Sequence, residues 1–222
     1  METAKPLTAF IFANGDANDG PLVRQTLDDQ PDAWVIAADG GARQARYFGR
    51  AVKTLIGDLD SIEPDEAEAL IAAGTELLQS PVEKDETDLE LALLLAAQRG
   101  AEHIRIFSAL GDRLDQTLAN VYLLALPALD GRDVRIVAGK QEAWLLHPGS
   151  HTLSGTPGDT VSLIPLTGIV HGVRTEGLYY PLRDETLRFG PARGISNVMQ
   201  AASAQVEIGE GTLLAVHTLG RA

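Results

Sequence analysis

The sequence predicts an α/β domain with a parallel sheet flanked by helices, followed by an all-β domain. Two observations carry this reading. Up to about Gly139, short apolar or β-branched runs alternate with segments of helical spacing; beyond it the helical pattern stops, and short strands separated by Gly, Pro and Asp take over.

In the first part the predicted strands are Leu7–Ala13, Trp34–Ala38, Val52–Ile56, Thr75–Leu78, His103–Ser108 and Val134–Ala138. Between them, Asp88–Arg99 places Leu89, Leu91, Ala92, Leu93, Leu95 and Ala96 on a broad apolar face, and Leu114–Leu126 also has helical spacing. Strand and helix in alternation give parallel strands with right-handed crossovers. In the second part, His151–Leu153, Thr160–Pro165, Val170–Thr175, Thr186–Arg188, Ala204–Ile208 and Thr212–His217 read as antiparallel strands. The expected domains are therefore 1–139 and 140–222. At about 80 residues the second is small for independent stability, so it is expected to pack on something.

Composition narrows the function. The net charge of −13 argues against a nucleic-acid binder, which needs clustered Lys and Arg. Residues 1–140 hold 24 Asp and Glu against 13 Lys and Arg, so the acid is concentrated in the α/β part. The absence of cysteine excludes disulfides, thiolate metal sites and cysteine nucleophiles, and fits a reducing compartment. No apolar run reaches bilayer length. The opening METAKPLTAFIFANGD passes from a short apolar run straight into polar residues, which reads as the first buried strand of a cytoplasmic protein and not as a secretion signal.

In a parallel sheet, ligands bind beyond the carboxyl ends of the strands. Five of the predicted strand ends carry aspartate: Asn14-Gly15-Asp16, Asp39-Gly40-Gly41, Gly57-Asp58-Leu59-Asp60-Ser61, Lys84-Asp85-Glu86-Thr87-Asp88 and Gly111-Asp112-Arg113-Leu114-Asp115. Taken singly, each is a turn or a cap, and Asp88 reads as a helix N-cap. Taken together, carboxylates converging on one sheet edge repel one another unless a cation is present, and oxygen-only ligands favour a hard ion such as Mg²⁺ with a bound nucleotide. In Asp58-Leu59-Asp60 the two carboxylates point apart if the loop is extended, whereas a turn brings both toward one metal. Lys84 offers a point charge and Arg113 a planar fork for phosphate.

Other chemistries are missing. There is no P-loop, no G-x-G-x-x-G fingerprint and no serine nucleophile elbow. His103, His147, His151, His171 and His217 have no metal-ligand spacing and read as strand-surface or strand-end residues. In the second part, Arg193-Gly194-Ile195-Ser196-Asn197 joins a turn to two side chains able to hydrogen-bond a heteroaromatic ring, and Tyr179-Tyr180-Pro181-Leu182 reads as an edge strand with packing aromatics.

Read in order, Asn14-Gly15, Ala38-Asp39-Gly40-Gly41-Ala42, Ile56-Gly57-Asp58-Leu59-Asp60-Ser61, Lys84-Asp85-Glu86-Thr87-Asp88, Gly111-Asp112-Arg113-Leu114-Asp115 and Ile195-Ser196-Asn197 resemble the motif series of the thiamine pyrophosphokinases, and Tyr180-Pro181-Leu182 is similar to the family's second domain. The resemblance spans nearly the whole chain. It implies a C-terminal β-sandwich, a homodimer with active sites in clefts between subunits, and Mg²⁺-dependent transfer of diphosphate from ATP to the hydroxyl of thiamine. By similarity, Asp58, Asp60 and Asp85 serve the magnesium and diphosphate centre, with Asp88 beside them in the catalytic group. Asp39, Gly40, Lys84, Thr87, Asp88, Arg113 and Asp115 shape the nucleotide and phosphate site, and Ser196 and Asn197 contact thiamine. Two departures stand out: Asp112 where the family commonly has a small residue, and Gln116 where it has histidine. Some members stack the thiamine ring on a tryptophan of the second domain; Trp34 and Trp144 come too early to match it, so no stacking residue is named. The rival readings are a diphosphokinase or kinase acting on another small alcohol, and a non-catalytic nucleotide or thiamine sensor.

Overall fold

The computed structural model describes residues 7–221, so the first six residues of the opening segment METAKPLTAFIFANGD lie outside the described residues. The chain divides into two compact units that meet between Gly139 and Lys140.

In the first unit the strands are β1 Leu7–Phe12, β2 Trp34–Ala38, β3 Thr54–Gly57, β4 Glu76–Gln79, β5 Ala101–Phe107 and β6 Asp133–Ala138. The main helices are α1 Pro21–Asp29, α2 Gly41–Tyr47, α3 Pro64–Ala72, α4 Asp88–Gln98 and α5 Leu114–Tyr122, the last running on into a 3₁₀ turn over Leu123–Ala125. The six strands lie in the order β6-β5-β1-β2-β3-β4, and every pairing among them is parallel.

Both faces of the sheet are covered, which is why β1 is a continuous apolar run and not an alternating one. Phe10 and Phe12 enter a cluster with Val23 and Leu27 of α1, Ala42 and Ala45 of α2, and Phe107. The rings of Phe12 and Phe107 stack with centroids 5.0 Å apart. Of the expected face of α4, Leu89, Ala92, Leu93 and Ala96 are buried outside that cluster and Leu91 and Leu95 are only half-buried; the helix packs over β1, β2, β3 and β5. The chain leaves β1 toward β4 on one side and returns through α4 to place β5 on the other. The β1/β5 junction is therefore the switch point of the sheet, where a crevice is expected.

At the opposite end of β5 and β6, Asp133 pairs with Arg105 and with Arg135 at 2.8 Å, and sits 3.5 Å from His103. Burial pushes its carboxyl up, but Arg135 and Arg105 outweigh burial and hold it down, at about 2. A depressed carboxyl stabilises the fold above its unfolded value near 3.8 and loses that contribution as pH falls through the folded value. The shift corresponds to roughly 2 kcal/mol before allowance for partial exposure. Asp133→Asn is therefore expected to lower the urea midpoint at pH 7 by the equivalent of about 1–2 kcal/mol, with the gap to the parent closing near pH 2.

The second unit is a sandwich of two antiparallel sheets. Its strands are β7 Gln141–Leu146, β8 Gly149–Ser154, β9 Thr160–Pro165, β10 Ile169–Glu176, β11 Arg183–Arg188, β12 Asn197–Val198, β13 Ser203–Ile208 and β14 Leu213–Thr218. One sheet runs β12-β9-β14-β7 and the other β11-β10-β13-β8. Leu146, Val161, Leu163 and Leu213 of the first meet Leu153, Val170, Val173, Leu187 and Val206 of the second in one core. β13 shows the pattern at its simplest: exposed and buried residues alternate from Ser203 to Ile208.

Three sequence expectations are corrected. Tyr179–Leu182 is not an edge strand but part of the connection between β10 and β11; both tyrosine rings are exposed and meet edge to face at 4.7 Å. β7 and the two-residue β12 are additional strands. Gln141 and Glu142 weaken the strand signal of β7, and β12 is too short to show a period. His217 is not a surface residue: it is 5% exposed in the middle of a sheet.

Candidate active site

Beyond the carboxyl ends of β1, β2, β3 and β5 lies a cleft of about 500 Å³, lined by Asn14, Asp16, Asp39, Asp58, Lys84 and Asp88 among others. Backbone bonds shape its floor. The amides of Gly15 and Asp16 donate to Ser108 O at 2.8 Å and Leu110 O at 2.9 Å, so the loops after β1 and β5 stay zipped together beyond the strands. Buried Asn120 of α5 fixes the second loop by donating to Ala109 O at 2.7 Å.

Asp39 has a left-handed backbone, φ 46°, which ends β2 sharply and starts the turn into α2. It is 3% exposed. Its Oδ2 accepts from Ser61 N at 3.1 Å, and its Oδ1 is buried with no hydrogen-bond partner. An ionised oxygen in that position is costly unless a cation or donor reaches it.

The Asp58-Leu59-Asp60 loop is a turn, not an extended segment. Leu59 sits at φ 68° with its side chain packed on the core, and Asp58 Oδ1 accepts from Asp60 N at 3.2 Å. The turn brings the two carboxylates to one side, so that one oxygen each from Asp39, Asp58 and Asp60 lie within 4.8 Å of one another. Gly57, before them, has φ +150°; a Cβ there would stand 3.0 Å from Asp39 Cβ and 3.1 Å from Asp88 Oδ1, so glycine keeps the carboxylates' approach open.

Lys84 Nζ lies 3.2 Å from Asp58 Oδ2 and 3.1 Å from Asp88 Oδ1. The second contact is an ion pair out of hydrogen-bonding alignment, which leaves Asp88 Oδ1 without a hydrogen-bond partner. The Asp60 amide, followed by Lys84, holds the Asp58 carboxyl below its ordinary value against burial. Burial pushes the Asp88 carboxyl up in spite of Lys84. Two neighbouring carboxylates are thus driven in opposite directions, as is common where charge is used chemically.

Asp88 is not the helix cap expected of it. Thr87 caps α4, its hydroxyl accepting from Glu90 N at 3.2 Å, in the S/T-x-x-E pattern of a capping box. Capping by Thr87 leaves the Asp88 carboxylate free to face the cleft.

The remaining expected residues divide. Arg113 lines the cleft but is exposed, its fork held by Asp115 through Nε at 3.2 Å and Nη2 at 2.5 Å. Gly40, at the N-cap position of α2, lies against Asn14, whose Cγ would be 2.5 Å from an added Cβ. Asp85 is exposed and lies outside both the carboxylate cluster and the cleft lining, so the third carboxylate of the cluster is Asp39. In the second unit, Ser196 is exposed at φ 55°. Asn197 is buried, and its amide brackets the Tyr180 backbone: Oδ1 accepts from Tyr180 N at 2.9 Å and Nδ2 donates to Tyr180 O at 2.7 Å. Asn14, Thr117 and Asn120 also line or floor the cleft. Their sequence signal is slight, because Thr and Asn at helix or strand ends are ordinary.

Three carboxylates, one carrying an orphaned buried oxygen, fit a hard divalent cation such as Mg²⁺, which takes oxygen ligands and retains waters.

Residues 28–137 match the family model described as the thiamin pyrophosphokinase catalytic domain, and residues 150–213 match that for the vitamin B1 binding domain of the same enzymes. The chain belongs to the thiamin pyrophosphokinase family. It is 27% identical over 212 residues to the thiamine pyrophosphokinase of Bacillus subtilis, an alignment covering 95% of this chain and 98% of that one. Against thiamine pyrophosphokinase 1 of Arabidopsis thaliana it is 28% identical over 209 residues, 89% of this chain and 73% of the plant protein. The crystal structure of the Bacillus subtilis enzyme superposes with a TM-score of 0.85 at 26% identity, covering 96% of this chain and 99% of that one. A thiamin pyrophosphokinase family protein from Enterococcus faecalis gives 0.82 at 25%, over 96% and 98% of the two chains. Members of the thiamin pyrophosphokinase family transfer diphosphate from ATP to thiamine, so this chain is an enzyme, a transferase of thiamine diphosphate biosynthesis. Among the described residues no helix is long and apolar enough to cross a membrane.

Proposed function

We propose that the first unit binds Mg²⁺ and the polyphosphate of ATP in the cleft, and that Ser196 and Asn197 of the second contact thiamine. The observation that carries this reading is the cluster of Asp39, Asp58 and Asp60 beside Lys84, beyond the carboxyl ends of β2 and β3. Asp39, Asp58 and Asp60 would hold the ion, which when bound neutralises charge on the phosphate oxygens. Lys84 supplies a second positive charge next to the same centre, and Arg113 a planar fork at the cleft edge once it exchanges Asp115 for phosphate. Thr87 lines the cleft where it caps α4, and Asp115 acts on the site through its hold on Arg113.

The thiamine hydroxyl attacks the β-phosphorus in line. A new O–P bond forms, the bond from the β-phosphorus to the bridging oxygen breaks, and AMP leaves with that oxygen. The hydroxyl proton passes to an aspartate of the group Asp58, Asp60 or Asp88. Such transfers depend on positioning and charge stabilisation more than on a strong base. Asp85 has no place in this arrangement beyond the one its family resemblance suggests.

We further propose a homodimer in the cytoplasm. Exposed Tyr179, Tyr180 and Phe189 in the second unit support a partner-covered surface, and the lack of cysteine fits a reducing compartment.

The test is a magnesium-dependent assay with ATP and thiamine that follows AMP and thiamine diphosphate together by chromatography. Equal amounts of both products are expected, and neither without metal. ADP with thiamine monophosphate, or AMP released without thiamine, would mean that the transfer or its acceptor is different. Binding of thiamine with no turnover would identify a sensor.

A further inference from the structure

The second unit contains a buried charge cluster that the chemistry above does not use. His217, on β14, has Nε2 2.9 Å from Asp159 Oδ2 and Nδ1 3.6 Å from Glu142 Oε1. The three side chains are 7%, 6% and 17% exposed. Glu142 faces the ring from β7 and Asp159 from the turn before β9, while β9 itself presents Val161 at the paired position. With a carboxylate at each nitrogen, only the doubly protonated ring offers a donor to both; a neutral ring turns a lone pair on one of them. Glu142, then Asp159, raise the affinity of the ring for its proton against the opposing effect of burial.

Asp159 is also the hub of the backbone around it. Its carboxylate accepts from Gly220 N at 2.7 Å and Thr156 N at 2.8 Å. Its carbonyl accepts from Met199 N at 2.8 Å, and Gly158 N returns a bond to Met199 O at 2.9 Å. From there β12 runs along β9, with Asn197 opposite Val161 and Ser196 N donating to Ser162 Oγ at 3.0 Å. Packing leaves no slack: a Cβ on Gly155 would stand 2.6 Å from Met199 Sδ and 3.0 Å from both Asp159 Oδ2 and His217 Nε2.

We infer that the His217–Asp159 pair is a latch that fixes the turn at Thr156–Asp159 and, through Met199 and β12, positions Ser196, Asn197 and the Tyr180 backbone for thiamine. His217 is on this view a positioning residue, and its part in the reaction rests on the thiamine contacts proposed above.

Amide hydrogen exchange and steady-state kinetics on the full-length His217→Gln protein test it, with Ser196→Ala as the reference for the thiamine contact. Protection at the Met199, Tyr179 and Tyr180 amides is expected to fall about tenfold while β13 is unchanged, and the KM for thiamine to rise about tenfold with kcat and the KM for ATP nearly unchanged. A raised histidine contributes fully below its unfolded value near 6.5 and loses that contribution as pH rises through the folded value, so the parent's KM for thiamine should climb on the alkaline side. That limb should be absent in His217→Gln.

Unchanged protection at Met199 in a folded His217→Gln protein overturns the latch. Lost protection with an unchanged KM, while Ser196→Ala raises it, overturns the positioning role. If Ser196→Ala itself leaves the KM for thiamine unchanged, the assigned thiamine contact has failed, and the latch stands or falls on the exchange data alone. Should His217→Gln not fold, NMR titration of the parent decides: Met199 protection, corrected for intrinsic exchange, must follow ring deprotonation, and independence of the two overturns the latch.

Discussion

Asp58→Asn is expected to lower turnover by about 10³-fold while leaving the fold intact. The side chain is nearly the same shape, and its Oδ1 can still accept from Asp60 N, the bond of 3.2 Å that holds the turn. What is lost is the negative charge that faces both the carboxylate cluster and Lys84. An interaction with the metal and the transferring phosphoryl group acts mainly on the transition state, so kcat should carry the change. Chromatography of AMP and thiamine diphosphate, beside circular dichroism to verify folding, measures it. Asp85→Asn makes the informative comparison, because Asp85 is exposed and outside the cluster and its change is expected to cost far less. Near-normal turnover in Asp58→Asn would remove that residue from the metal centre, and an equally deep loss in Asp85→Asn would return Asp85 to it.

The largest expected loss of stability comes from Gly41→Ala. Gly41 opens α2, and an added Cβ would lie 1.9 Å from the carbonyl oxygen of Phe12 and 2.7 Å from its carbon. Within a helix, alanine gains about 1 kcal/mol over glycine, but here the obstacle is the backbone of β1 and not the end of a flexible side chain. α2 would have to lift off β1, separating Ala42 and Ala45 from Phe12 and its cluster. Overpacking of a tight core costs about 1–3 kcal/mol and sometimes more, so the net effect is a loss despite the helix gain. Thermal unfolding of the first unit should move down by roughly 5 °C. A variant as stable as the parent would mean that α2 can shift freely, and the close approach would then not be what glycine serves here.

Both expectations depend on features of unequal visibility in the sequence. The apolar run of β1, the spacing of α4 and the change of pattern near Gly139 were legible because they are periodic and local, and burial on two faces or one imposes the period directly. The capping of α4 was legible in principle from Thr87-Asp88-Leu89-Glu90, although Asp88 is the more obvious cap in isolation. β7 and β12 were not, since one opens with Gln and Glu and the other is two residues long.

At the site, the sequence by itself determined which chemistry was available: aspartates at successive strand ends, one lysine and one arginine near them, no cysteine and no nucleotide fingerprint of the common kinds. Motif order carried the family, because a linear series of short motifs is itself a property of the sequence. Only the tertiary structure decided which carboxylates meet. Asp39 and Asp58 come from different strands and converge because β2 and β3 are adjacent and parallel, and because left-handed turns at Asp39 and Leu59 aim the side chains inward. Asp85, although next to Lys84 in sequence, remains outside the cluster. The same holds for His217, whose two carboxylate partners are distant in sequence and are set beside it by strand pairing and a turn. Local pattern follows from which face each residue must bury, whereas side-chain encounters between distant segments depend on register and backbone handedness, which are fixed only when the sheet closes.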